Sequence, residues 1–182
     1  MKKERFEAIT DGILAIIITL MVLEIKIPEL SFKNAPQVLQ HILIYGISFI
    51  YITILWLNHH HVFANVKTVD LDLVWVNFGL LFFVSLFPLA TEHISADFYA
   101  KANHIFFALV IGFITLLYTL IQQTVMKKEN NSNKRKINTR NWFAFMAFML
   151  SIPLCFISVY ISGLIFLAVP AIYFLLSKKT IQ

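Results

Sequence analysis

The sequence predicts an all-α membrane protein of six transmembrane helices, and three observations carry that expectation. The chain is 59% hydrophobic and 14% charged over 182 residues, with mean hydropathy +0.76. Apolar runs long enough to span about 30 Å of hydrocarbon recur along it. The basic residues collect in the segments between those runs. In lipid, a helix satisfies its own backbone hydrogen bonds, which makes it the natural spanning element.

Composition also excludes several classes. No polar segment is long enough to build a second unit, so residues 1–182 read as a single transmembrane domain. The net charge of +5 follows from basic loops and tails, as membrane topology requires, and no nucleic-acid partner is expected. The single cysteine, Cys155, rules out an intrachain disulfide and a CxxC site. The first apolar run lacks a small-residue cleavage site and reads as helix 1 rather than as a signal peptide.

The six expected spans cover about 6–27, 38–62, 71–91, 102–125, 141–161 and 164–176. Pro28 stops the first, and Pro88 lies near the end of the third. Residues 127–140, rich in Lys, Arg and Asn, read as a solvated linker. Ser162-Gly163 reads as the turn between the last two spans. With six crossings, one side holds twelve Lys and Arg (Lys2, Lys3, Arg5, Lys67, Lys127, Lys128, Lys134, Arg135, Lys136, Arg140, Lys178 and Lys179). The other holds three: Lys26, Lys33 and Lys101. This asymmetry places both termini in the cytoplasm.

Helix 1 carries an unusual pattern. At 3.6 residues per turn, Arg5, Ile9, Gly12, Ile16, Thr19 and Leu23 form one stripe, with Leu20 at its edge. Gly12 would allow close approach, and Thr19 is the one hydroxyl. Asp11 lies on a second stripe with Ala15, Ile18 and Val22. A carboxylate at membrane depth costs about 2.5–3.5 kcal/mol on insertion scales, so Asp11 needs a partner or a task.

Helix 2 ends in Trp56-Leu57-Asn58-His59-His60-His61, and helix 3 opens with Asp70, Asp72, Trp75 and Asn77. All of these fall at the cytoplasmic level of Asp11. Consecutive helical residues point about 100° apart, so three histidines in a row do not converge on one metal ion. No metal site is expected. The indoles of Trp56 and Trp75 need acceptors, and Asp11 is a natural one. Helices 4–6 hold no charge or histidine between Ile105 and Met126 or between Trp142 and Ser177, and read as scaffold.

Asp11 and the histidines offer no nucleophile–base pair, so no catalytic residue is expected and the chain does not read as an enzyme. A secondary transporter or proton-coupled protein would use Asp11 and His59–His61, yet the second half has no counterpart to Asp11, which weakens that alternative. A channel remains. Symmetric association of several copies would bring the helix 1 stripe around a central pore. Ile16, Leu20 and Leu23 would form apolar constriction rings and Thr19 a ring of hydroxyls, with no cofactor beyond the permeant ion.

These residues resemble the transmembrane protein 175 family of potassium channels, whose signature Arg-x-x-x-Phe-Ser-Asp opens the first helix. Here it stands as Arg5, Ile9, Thr10 and Asp11, with Ile in place of Phe and Thr in place of Ser. The continuation from Ile16 to Pro28, the run from Trp56 to Phe63, the segment with Asp70, Trp75 and Asn77, and the run from Phe83 to Pro88 are similar to bacterial members. The resemblance implies a homotetramer in a prokaryotic plasma membrane, surrounded by lipid and conducting potassium ions through helix 1. It implies Ile16, Leu20 and Leu23 as constriction residues and Thr19 as the potassium-preferring position. It implies a structural polar network built from Arg5, Thr10, Asp11, Trp75 and Asn77, with His59 and His60 supplying the imidazole.

Overall fold

The computed structural model describes residues 2–29, 31–64, 66, 68–129 and 134–178. All regular structure among them is helical: α1 (Lys3–Glu24), α2 (Ala35–Ala64), α3 (Leu71–Ser85), α4 (Phe87–Ala96), α5 (Lys101–Glu129), α6 (Lys134–Ile157) and α7 (Val159–Lys178). The helices α1, α2, α3 with α4, α5 and α6 are long and apolar enough to cross a membrane, and Val159–Tyr173 in α7 is a shorter apolar stretch.

Local chemistry sets the helix ends. Lys3 Nζ donates to the carbonyl of Ala64 at 2.8 Å, placing a cation on the C-terminus of α2. The same bond ties the start of α1 to the end of α2, so the two run antiparallel. Asp70 caps α3, its carboxylate accepting the Leu73 N–H at 3.3 Å. Asp97 accepts the N–H groups of Tyr99 and Ala100 in the turn before α5.

The third expected span is two helices rather than one. Pro88 has no N–H, and in a continuous helix its ring would collide with the carbonyl of Val84. The ladder tightens instead, with the Leu86 N–H donating to Phe83 O at 3.2 Å, and Pro88 falls in the first turn of α4. The last turn also differs from expectation. The chain reverses at Ser158, and Ser162 and Gly163 lie inside α7. Of the expected linker 127–140, residues 130–133 lie outside the described residues, while 134–140 already belong to α6.

The helix α1 packs against α2, α3 and α4, and α5 joins α3 and α4 to α6 and α7. One continuous apolar core runs through the bundle, from Phe6 and Met21 on α1 to Phe148 on α6 and Phe166 on α7. Therefore α1 sits at one flank of the subunit, covered on a single side.

Candidate functional site

The covered side of α1 is the stripe Phe6, Thr10, Leu14, Ile17 and Met21, all buried. The steps of four and three are those of one helix face. Between helices in lipid, van der Waals packing and interhelical hydrogen bonds drive association, and Thr10 supplies the hydrogen-bonding position in this face.

The opposite side is open. Arg5, Ile9, Gly12, Ile16, Thr19, Leu20 and Leu23 are all exposed on the subunit. Ile16 is 58%, Leu20 42% and Leu23 77% exposed. No described neighbour lies within 4 Å of the place a Gly12 Cβ would occupy, so within the subunit its small size serves no contact. Ile9, the position where the signature has Phe, also faces outward. The Thr19 hydroxyl donates to the Ile16 carbonyl at 2.7 Å. Its hydrogen is thereby committed to the helix, which leaves the oxygen lone pairs free to accept or to coordinate a cation.

A polar chain anchors α1 to its neighbours. His59 Nε2–H donates to Asn77 Oδ1 at 2.9 Å, and Asn77 Nδ2 donates to Thr10 Oγ1 at 2.9 Å. The Thr10 hydroxyl donates in turn to Phe6 O at 3.2 Å. All three side chains are buried, and the chain links α2, α3 and α1 in sequence. The His59 ring stacks on Phe63 at 4.5 Å between centroids, and Phe63 packs on Phe6 at 5.0 Å. A buried network of this kind is favourable when its members are paired, and His59, Asn77 and Thr10 each have a hydrogen-bond partner.

Beside it, Asp11 accepts the indole N–H of Trp56 at 3.0 Å. Of the two tryptophans that need an acceptor, Trp56 on α2 is the one beside Asp11. Trp75 is 68% exposed and stands outside the network. His60 is exposed and stacks over Trp56 at 6.3 Å, and His61 is exposed. The three consecutive histidines thus take three different directions. Arg5 also lies outside the hydrogen-bonded chain, exposed on the open stripe.

The second half carries more polar structure than its lack of charge suggests. Asn141 donates to Gln122 Oε1 and accepts the Tyr173 hydroxyl, joining α5, α6 and α7. At the other end His104 pairs with Ser162 Oγ at 3.0 Å and with Phe98 O at 2.7 Å. Amides and hydroxyls inside apolar runs were the signal for these contacts, and a search for charged residues passes over them.

These features define an all-helical, multi-pass membrane protein with a satisfied polar anchor on one face of its first helix and an oxygen-bearing stripe on the other. Comparison with known proteins gives the class and the family. The family model for the endosomal/lysosomal potassium channel TMEM175 matches residues 5–88. A potassium channel of Chryseobacterium sp. (strain P1-3) is 36% identical over 188 residues, covering 100% of this chain and 97% of that one. The endosomal/lysosomal proton channel TMEM175 of Mus musculus is 30% identical over 149 residues, covering 68% of this chain and 30% of the mouse protein. The fold superposes on the crystal structure of a lysosomal potassium-selective channel TMEM175 homolog from Chamaesiphon minutus with TM-score 0.82. That match has 26% identity and covers 96% of this chain and 97% of the other. The protein is an ion channel of the membrane, not an enzyme. It belongs to the TMEM175 family, as a prokaryotic member.

Proposed function

We propose that the chain is a potassium-selective leak channel of a prokaryotic plasma membrane, a homotetramer with both termini cytoplasmic and α1 lining the central pore. One observation carries this reading: α1 leaves Ile16, Thr19, Leu20 and Leu23 uncovered while its opposite face is sealed. Lipid contact alone would not call for Gly12 and Thr19 on that stripe. Around a symmetry axis, Ile16, Leu20 and Leu23 form apolar rings that dewet when narrow, and Thr19 offers lone pairs in place of part of an ion's water shell. The permeant potassium ion is the only ligand required.

In this reading Thr10, Asn77 and His59, with Asp11 and Trp56 beside them, set the rotation of α1 and so decide which residues reach the axis. A transporter working through Asp11 and the histidines has less support, since Asp11 is engaged by Trp56 and His59 by Asn77.

The test is the reversal potential of purified protein in planar bilayers, with potassium on one side and sodium on the other. A shift toward the potassium equilibrium potential supports the proposal. Current without preference refutes selectivity, and absence of current in assembled protein refutes the pore. Thr19→Ala lowers potassium-over-sodium preference, and an unchanged permeability ratio removes Thr19 from the selectivity mechanism.

A further inference from the structure

Two charges on α1 take no part in the polar anchor. Arg5 opens the uncovered stripe and Glu24 is the last residue of the helix, and both are exposed. At 1.5 Å per residue they stand about 28 Å apart, close to the thickness of the hydrocarbon layer. Arg5 lies one turn below Ile9, and Glu24 lies one turn above Leu20. In a pore lined by α1, one therefore sits at each mouth.

Neither charge is neutralised within the subunit. Among the described residues the ion pairs are Lys3 with Glu7 at 3.9 Å and His93 with Glu92 at 2.8 Å. The exposed charges nearest in the chain offset each other, Lys2 against Glu4 beside Arg5 and Lys26 against Glu29 beyond Glu24. Lys33 is further off, in the turn before α2. The helix itself adds to both ends. Its N-terminus, next to Arg5, carries about half a positive charge, and its C-terminus, next to Glu24, about half a negative one. No basic residue stands in the last turn of α1, and Ile25 leaves it in extended conformation, so the final carbonyls face the outer mouth.

We infer that these two charges make the channel rectify. Glu24 gathers cations at the outer mouth, Arg5 depletes them at the cytoplasmic mouth, and inward current exceeds outward current at equal driving force. The inference rests on the proposed pore and its orientation, and adds a direction to them. Around the symmetry axis each charge becomes a ring, and a ring of one sign raises or lowers the local concentration of ions entering there. At about 0.15 M salt such charges act over about 8 Å, whereas at about 1 M the range shrinks to about 3 Å.

The test is current–voltage recording in excised patches from cells expressing the full chain, where biosynthesis fixes the orientation, with about 0.15 M KCl on both sides. Wild type passes about twofold more inward than outward current at equal and opposite voltages. Glu24→Gln lowers the inward limb, Arg5→Gln raises the outward limb, and the double variant gives a linear relation. Arg5→Lys, which keeps the charge, rectifies as wild type does. Size-exclusion profiles check assembly, and Glu24→Gln keeps the inference testable if Arg5→Gln does not fold. On single channels in planar bilayers the asymmetry disappears at about 1 M KCl. A linear relation in wild type at the lower salt overturns the inference and leaves the pore standing, whereas no current from assembled protein overturns both. Rectification that survives about 1 M KCl, or is unchanged in Glu24→Gln, also overturns it. So does an equal and opposite change in Lys101→Gln, which removes an exposed outer charge away from α1 and would assign the effect to diffuse surface charge.

Discussion

Asn77 is the bridge of the polar anchor, and Asn77→Ala tests the network directly. The substitution removes the acceptor of His59 Nε2–H and the donor to Thr10 Oγ1. The two losses are unequal. Thr10 keeps its own hydrogen on Phe6 O and forfeits only an incoming bond, about 0.6 kcal/mol by the average for interhelical bonds in membranes. His59 is left with a buried donor, and its stacking on Phe63 resists a swing toward solvent, so the unmet N–H costs about 1–3 kcal/mol. Together these give a destabilisation of about 1.6–3.6 kcal/mol. At about 2–4 °C per kcal/mol for a chain of this size, the thermal midpoint falls by roughly 3–14 °C. Intrinsic-fluorescence unfolding of the purified protein in detergent reads this. A second arm combines Asn77→Ala with His59→Phe, and the double variant loses less than the sum of the singles because they remove one shared bond. A midpoint drop below about 1 °C, or strict additivity, would refute the network as a load on stability.

Other expectations follow from single contacts. Asp11→Ala and Trp56→Phe each remove the same 3.0 Å bond, so both lower recovery of assembled protein on size exclusion, while Asp11→Asn keeps an acceptor and recovers most of it. Trp75→Phe, at an exposed position outside that pair, changes stability by no more than about 0.5 kcal/mol in the same unfolding measurement. At Gly163 an added Cβ would meet Phe98 Cζ at 2.8 Å, so Gly163→Ala costs about 1–3 kcal/mol, and Phe98→Leu in the same chain relieves part of the loss in thermal midpoint.

Much of the candidate site could be read before any fold was known. That Ile9, Gly12, Ile16, Thr19 and Leu23 share one face of α1 was legible because helical period ties residues on one helix to each other whatever lies around it. The same period left a choice of partner. Trp56 and Trp75 both sit at the level of Asp11, one on α2 and one on α3, and sequence offers no means of choosing between them. The antiparallel pairing set by Lys3 on the end of α2 brings Trp56 to Asp11, and the packing of α3 turns Trp75 outward. The packing stripe Phe6, Thr10, Leu14, Ile17 and Met21 was equally periodic, but in a helix apolar nearly all round nothing local says which apolar face is covered.

Sequence alone determined the class of this protein: apolar runs of membrane length, basic asymmetry between their connections, and the residues that form one face of the first helix. These are properties of composition and of helical repeat, which belong to each segment by itself. Tertiary structure decided the rest. Ser162-Gly163 has the chemistry of a turn, yet Ser162 is spent on His104 and Gly163 on the approach of Phe98, so the chain reverses at Ser158 instead. Hydrogen bonds such as His59 to Asn77 and Asn141 to Gln122 join helices far apart in the chain. Their formation depends on how each helix is rotated against its neighbours, and that rotation is set by packing across the bundle.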